Sequence, residues 1–371
     1  MAASECVELH GRRDDDDEVI FLKDKCIRYF KRCLQVLPER FSSLDVTRLT
    51  VAFFAISGLD LLDAIDAIKD EKEKIIEWIY SYQVLPDKIE SNRSRCGFRG
   101  SSAVGAPPSM GKPENAHPYD SGHIAMTYSA LSTLLVLGDD LSRVDKKAII
   151  QGVEALQQPD GSFCPLIDGA EKDMRFIYCA ACICYILQDW GEIDKEKIVK
   201  FIQKCINYDG GIAQVPGAES HGGSIFCAVA ALSLIDQLQT AFSPSQINKL
   251  RWWCLKRQDS GFQGRPNKPV DTCYSFWVGA SLTLLDYYHF VDTQQNIAFI
   301  LSTQDDIAGG LAKWPDVVPD PLHTYLGIGG LSLAGKEGVL PIHPGLNISK
   351  RAVDHLKHIH NQWGVASNIY S

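Results

Sequence analysis

The sequence predicts an all-α protein, an α/α barrel (toroid) of about six helical hairpins. Three observations predict it. A motif recurs about every fifty residues. Helices that are apolar nearly all round alternate with helices that are apolar on one side. Runs of short alternating strands are missing.

The recurring motif is an acidic residue, two or three variable positions and a long apolar stretch rich in small residues. It starts at Asp120, Asp173, Glu219, Asp271 and Asp320, at intervals of 53, 46, 52 and 49 residues. Asp120 and Asp173 read as helix N-caps. Glycine turns precede most copies, as at Asp160-Gly161 and Asp209-Gly210-Gly211, and a divergent first copy starts near Leu44 with Thr50–Phe54 as its apolar helix. Between the copies lie one-sided helices. Ser243-Pro244-Ser245-Gln246 is a capping box followed by Ile247, Leu250 and Cys254 on one face, and similar stripes follow Asp145 and Asp194. An all-round apolar helix must be buried and a one-sided one can cover it, so a closed ring has a buried inner layer and a half-exposed outer one.

The 371 residues carry a net charge of −9, with 45% hydrophobic and 22% charged side chains. This acidic balance argues against nucleic-acid binding. There is no signal-peptide layout and no apolar run long enough to span a membrane, so a cytoplasmic protein is expected. Residues 1–20, with the run Asp14–Asp17, read as a flexible acidic tail, and residues 21–365 as a single catalytic domain. Of the 12 cysteines, Cys179, Cys182, Cys184, Cys227 and Cys254 sit in apolar helical patterns, where a thiol acts as a small hydrophobe.

Ring closure brings the starts of all inner helices to one mouth. Gly122, His123, Arg175, Phe176, His221, Gly222, Cys273, Tyr274, Leu322 and His323 then converge there. Asp271, Cys273 and His323 offer a carboxylate, a thiolate and an imidazole, a three-ligand zinc set with one position open. Each also has a structural alternative: an N-cap, a core thiol and a hydrogen-bonded histidine. Arg265-Pro266-Asn267-Lys268, His221, Arg175 and Lys313 form a basic cluster suited to a diphosphate, and Gly222 and Gly223 permit close backbone approach. Tyr128, Phe176, Tyr274, Phe276 and Trp277 are either core or, for some of them, the lining of a greasy lumen. Zinc, a diphosphate cradle and an apolar tunnel suggest attack of a zinc-bound thiolate on an allylic diphosphate.

Four motifs carry a resemblance to a known family: Tyr119-Asp120-Ser121-Gly122-His123, Ser220-His221-Gly222-Gly223, the long run from Gly264 to Trp277, and Leu322-His323-Thr324-Tyr325. From about Phe21 to Trp363 the chain resembles the β subunits of zinc-dependent protein prenyltransferases. The resemblance implies zinc ligands at Asp271, Cys273 and His323, and diphosphate contacts at His221, Arg265, Lys268, Tyr274 and Arg175. It also places Ser275, Phe276 and Trp277 within the donor-binding motif. It implies a heterodimer with an α subunit that this chain does not contain.

Within that family the chain is most similar to the type I geranylgeranyltransferases. Farnesyltransferase has tryptophan where Thr50 stands, which shortens the isoprenoid pocket. It also uses an aspartate with magnesium where Lys313 stands, so magnesium is expected to be dispensable. The Rab enzyme's β subunit lacks the segment Arg95–Gly100. The implied substrates are geranylgeranyl diphosphate and C-terminal Cys-a-a-Leu or Cys-a-a-Phe motifs of Rho-, Rac- and Rap-like small GTPases. Thr50, Phe54, His123, Ala125, Phe176 and Leu322 are implied around the terminal residue. A terpene cyclase of the same barrel class would need an acidic cluster deep in its cavity, and a plain binding module would have no use for the zinc set.

Overall fold

The computed structural model describes residues 20–107 and 111–364, so the run Asp14–Asp17 and the domain limit at residue 365 lie outside the described residues. The helices are α1 (Lys23–Cys33), α2 (Arg48–Leu61), α3 (Lys72–Tyr80), α4 (Ile124–Val136), α5 (Lys146–Glu154), α6 (Met174–Leu187), α7 (Lys195–Lys204), α8 (Gly222–Leu234), α9 (Leu238–Ala241), α10 (Pro244–Leu255), α11 (Tyr274–Leu284), α12 (Thr293–Ser302), α13 (Pro321–Leu333) and α14 (Lys350–Gln362). Among the described residues, strands amount to two short antiparallel pairs: β1 (Gln83–Val84) with β2 (Gly97–Phe98), and β3 (Ile342–His343) with β4 (Ile348–Ser349).

Helices α2, α4, α6, α8, α11 and α13 pack in that order, and α13 returns to α2, which closes the inner ring. Their sequences leave no alternative to burial: in α6 every residue but Arg175 is buried, and in α8 every residue but Gly223 and Ser233. The outer helices are striped instead. In α7 only Ile198, Phe201 and Ile202 are buried. Their starts are fixed by side-chain caps at Asp145, Asp194, Asp292 and the capping box of Ser243 and Gln246.

One hydrogen bond repeats around the ring. The amides of Leu49, Ile124, Met174, Gly222 and Thr272 donate to the carbonyls of Gly100, Pro165, Gln214, Gly264 and Lys313, each in the loop before the next inner helix. At the sixth position Pro321 has no N–H to give. Closure there falls to the N-terminal segment, where the Leu22 amide donates to Gln304 at 2.7 Å. Gly309, with φ 73°, lies so close to the Lys25 backbone that a Cβ would stand 2.3 Å from its carbonyl oxygen.

This ladder corrects the repeat register. The residues preceding its last four donors, with the cap Asp320, are His123, Asp173, His221, Asp271 and Asp320, at intervals of 50, 48, 50 and 49 residues. Asp120 and Glu219 are therefore not helix starts. The N-caps are His123 and His221, whose Nδ1 atoms accept from Ala125 and Gly223 at 3.2 and 3.0 Å. Asp120 instead faces Arg99 at 3.2 Å, and Glu219 faces Arg265 at 2.9 Å.

A belt of buried aromatic rings packs inside the barrel. Phe53, Tyr128, Tyr178, Phe226 and Phe276 touch in sequence with ring centroids 5.1–5.5 Å apart, and Tyr325 touches Phe53 at 5.5 Å. At the end away from the mouth the loop between β3 and β4 forms a floor. Tyr128 and Tyr325 donate their hydroxyls to the carbonyls of Leu346 and Asn347. Buried Asp60, at the end of α2, holds this segment through Arg351 at 2.7 Å and through Ser349.

Candidate functional site

The starts of α11 and α13 are neighbours in the ring, and between them Asp271, Cys273 and His323 gather. One oxygen, one sulfur and one nitrogen from these side chains lie within 4.8 Å of one another. The turn before α11 explains how positions two apart share a direction. Asp271 precedes the helix and accepts from the Cys273 amide at 3.0 Å, which folds the chain back on itself. His323 Nε2 lies 3.2 Å from Asp271 and its Nδ1 lies 2.6 Å from Asp320.

The donor set fits zinc: hard, soft and borderline atoms in a three-ligand arrangement, with the histidine oriented by a carboxylate behind it. Its electrostatics suit a cation. Burial and then the Asp271 carboxylate push the Cys273 thiol well above its ordinary range. Burial alone would lower the pKa of His323, yet hydrogen bonds to Asp271 and Asp320 raise it to about 9. Burial works against the Asp271 carboxylate, but the bonds from His323 and Cys273 hold its pKa below the usual value. A bound cation would replace those protons. Lys313 stands 3.6 Å from the other Asp271 oxygen with its ammonium partly in solvent.

The basic cluster follows around the mouth. His221 Nε2 and the Tyr274 hydroxyl are 2.9 Å apart, joining α8 to α11. Burial, and after it the nearby Arg265, lowers the His221 pKa, so the imidazole is neutral near pH 7. Gly264 makes the Tyr274 position possible, because a Cβ there would stand 2.1 Å from the ring. The loop Arg265-Pro266-Asn267-Lys268 turns at Asn267, φ 60°, with Arg265 and Lys268 at the surface. Arg175 is engaged by Asp173 at 2.7 Å and by Glu171 at 3.0 Å.

Placement on the helices separates the remaining expected residues. Thr50, Phe54, Ala125, Tyr274, Trp277 and Leu322 keep partial exposure although inner helices surround them, as residues facing an open lumen do. Thr50 lies 3.4 Å from Ser129, Phe54 stacks on Tyr325, and His123 meets Phe176 edge-on at 6.4 Å. Gly222 is buried, with a Cβ position 2.9 Å from Val278, while Gly223 keeps partial exposure. Ser275 and Phe276 occupy packing positions: Ser275 donates to Asn296 at 2.8 Å and both are fully buried. The helical turn of about 100° per residue puts Ser275 on the side facing α12 when Tyr274 faces the lumen. Two residues went unassigned in the sequence reading: Asp320 as the partner of His323, and Gly264 as the space for Tyr274. Asp320 stands three residues before His323 at a helix start, a spacing that a search for second partners would have found.

The family model "Prenyltransferase alpha-alpha toroid domain" matches residues 21–348. The chain is 40% identical to a Dictyostelium discoideum geranylgeranyl transferase type-1 subunit beta, over 89% of this chain and 96% of that protein. It is 41% identical to the Arabidopsis thaliana protein so named, over 88% and 89%. The solved Candida albicans protein geranylgeranyltransferase-I complexed with GGPP matches with a TM-score of 0.80 and 26% identity, over 91% of this chain and 99% of that one. The chain belongs to the prenyltransferase α-α toroid family, among the β subunits of type-1 geranylgeranyl transferases.

Proposed function

We propose that this chain carries the active site of a zinc-dependent type I protein geranylgeranyltransferase, working as a heterodimer with an α subunit. The observation that carries this reading is the gathering of Asp271, Cys273 and His323 from two repeats beside a basic mouth and the partly exposed rings of Phe54, Tyr274 and Trp277. The substrates are geranylgeranyl diphosphate and small GTPases of the Rho, Rac and Rap kind ending in Cys-a-a-Leu or Cys-a-a-Phe. Among the described residues no helix is long and apolar enough to cross a membrane, and the proposed location is the cytoplasm.

Asp271, Cys273 and His323 would hold the zinc. When bound, it supplies the positive charge that keeps a peptide thiol deprotonated near neutral pH. The apolar lumen shields the C20 chain from water, and Thr50, small and on its wall, leaves room for the fourth isoprene unit. As the peptide sulfur bonds to the first isoprenoid carbon, the carbon–oxygen bond breaks and diphosphate departs with the electron pair. The Tyr274 hydroxyl, which accepts from the Nε2–H of neutral His221, donates to its oxygens, and Arg175, Arg265 and Lys268 meet them with charge. Lys313, set beside Asp271, does the work of a magnesium ion, so added magnesium is not needed. Phe54, His123, Ala125, Phe176 and Leu322 shape the pocket for the terminal residue.

Co-expression with an α subunit, followed by transfer assays with C15 and C20 donors on peptides ending in leucine, serine or methionine, tests the reading. Preference for the C20 donor and the leucine peptide is expected. A protein without transfer activity under all of these conditions refutes it.

A further inference from the structure

A second cavity lies outside the barrel, between α1, α3 and the outer side of α2, with a volume of about 390 Å³. That is within the roughly 300–1,000 Å³ of small-molecule sites. Leu34 and Leu37 close one wall, Val51 and Ala52 of α2 another, and Ile75 and Trp78 of α3 the third. Trp78 is held edge-on by Tyr82 at 5.1 Å. The apolar walls end in a charged edge: Lys31, Arg48 and Lys74, with Glu71. Arg48 is paired with Asp45 at 2.6 Å. Setting Glu71 and Asp45 against the three cations leaves one net positive charge.

A largely apolar pocket with one weakly cationic edge matches a chain-like amphiphile with a single negative charge. A diphosphate head carries more charge than this edge balances. We infer that the cavity binds a long-chain fatty carboxylate, its chain against Val51, Ala52, Ile75 and Trp78 and its head between Lys31 and Lys74. The site is distinct from the lumen. Arg48, Val51 and Ala52 follow i, i+3, i+4 spacing on the outer face of α2, whereas Thr50 and Phe54 lie on its inner face.

The test uses the heterodimer with its α subunit and cis-parinarate, a fluorescent polyene fatty acid, as probe. Saturable binding that persists in excess geranylgeranyl diphosphate is expected. The double variant Lys31→Glu, Lys74→Glu weakens it about tenfold or more and leaves the transfer rate unchanged. Displacement of the probe by geranylgeranyl diphosphate, which places it in the lumen, overturns the inference. So does the absence of binding, the outcome if the α subunit covers the cavity, and so does unchanged affinity in the double variant.

Discussion

The Nδ1 of His323 lies 2.6 Å from the carboxylate of Asp320, the residue that also caps the same helix through the His323 amide at 3.0 Å. One side chain thus fixes both the backbone and the ring, and directs Nε2 toward Asp271 and Cys273. Removing such an orienting carboxylate from a metal-bound histidine weakens metal binding by about 10–100-fold. Asp320→Ala is expected to lose zinc by that factor in a chelator titration. Asp320→Asn, which keeps the cap, should lose less. Equal zinc affinity in all three proteins would show that the contact orients nothing.

Cys273 supplies the only sulfur of the cluster. Cys273→Ala is expected to leave the protein without bound zinc and without transfer activity, while binding of geranylgeranyl diphosphate persists. Zinc content measured on the purified variant checks the first part and donor binding the second. Full zinc occupancy would remove Cys273 from the ligand set.

The Tyr274 hydroxyl reaches His221 at 2.9 Å, and Gly264 leaves room for its ring. Tyr274→Phe removes one donor to the departing diphosphate and is expected to lower kcat by on the order of 10²-fold with a smaller change in KM. Gly264→Ala forces the ring away and should fall at least as far, although it touches no reacting atom. A Gly264→Ala protein as active as the parent would mean that the ring position is unimportant.

Lys313 stands 3.6 Å from Asp271 and is partly exposed. Lys313→Asp replaces an ammonium by a carboxylate that can itself bind a divalent ion. The variant is expected to be slow in the absence of magnesium and to be rescued by millimolar magnesium, whereas the parent responds little. Transfer rates measured against magnesium concentration decide this.

Much of this architecture was legible because repetition is a one-dimensional signal: apolar inner helices and striped outer ones recur every fifty residues or so, and closing them is the way to bury the first kind. The three metal-binding candidates followed from that ring. The exact register did not. The sequence pattern puts helix starts at acidic residues, yet two of the caps are His123 and His221, whose ring nitrogens accept from the amide that an aspartate would cap. The outward turn of Ser275 toward Asn296 needed the phase of α11, and that depends on where the Asp271 turn ends. The barrel floor at Leu346 and Asn347 depends on hydroxyls more than two hundred residues away in one case, which no local pattern records.

Thr50 lies on the lumen side of α2, 3.4 Å from the hydroxyl of Ser129 on α4 and 3.5 Å from the Met126 sulfur. A small side chain there keeps the space between these two inner helices open. Tryptophan in its place adds an indole to the lumen side of α2, one turn before the partly exposed Phe54. The farthest isoprene unit of the C20 donor then loses its place, whereas a C15 donor, one unit shorter, does not. Filling an apolar pocket by a few carbons shifts selectivity by about 10–200-fold, so Thr50→Trp should move the ratio of kcat/KM values toward the C15 donor by that order. A competition assay with both donors in one tube reads the ratio directly, and a ratio equal to the parent's would place the end of the isoprenoid chain elsewhere in the barrel.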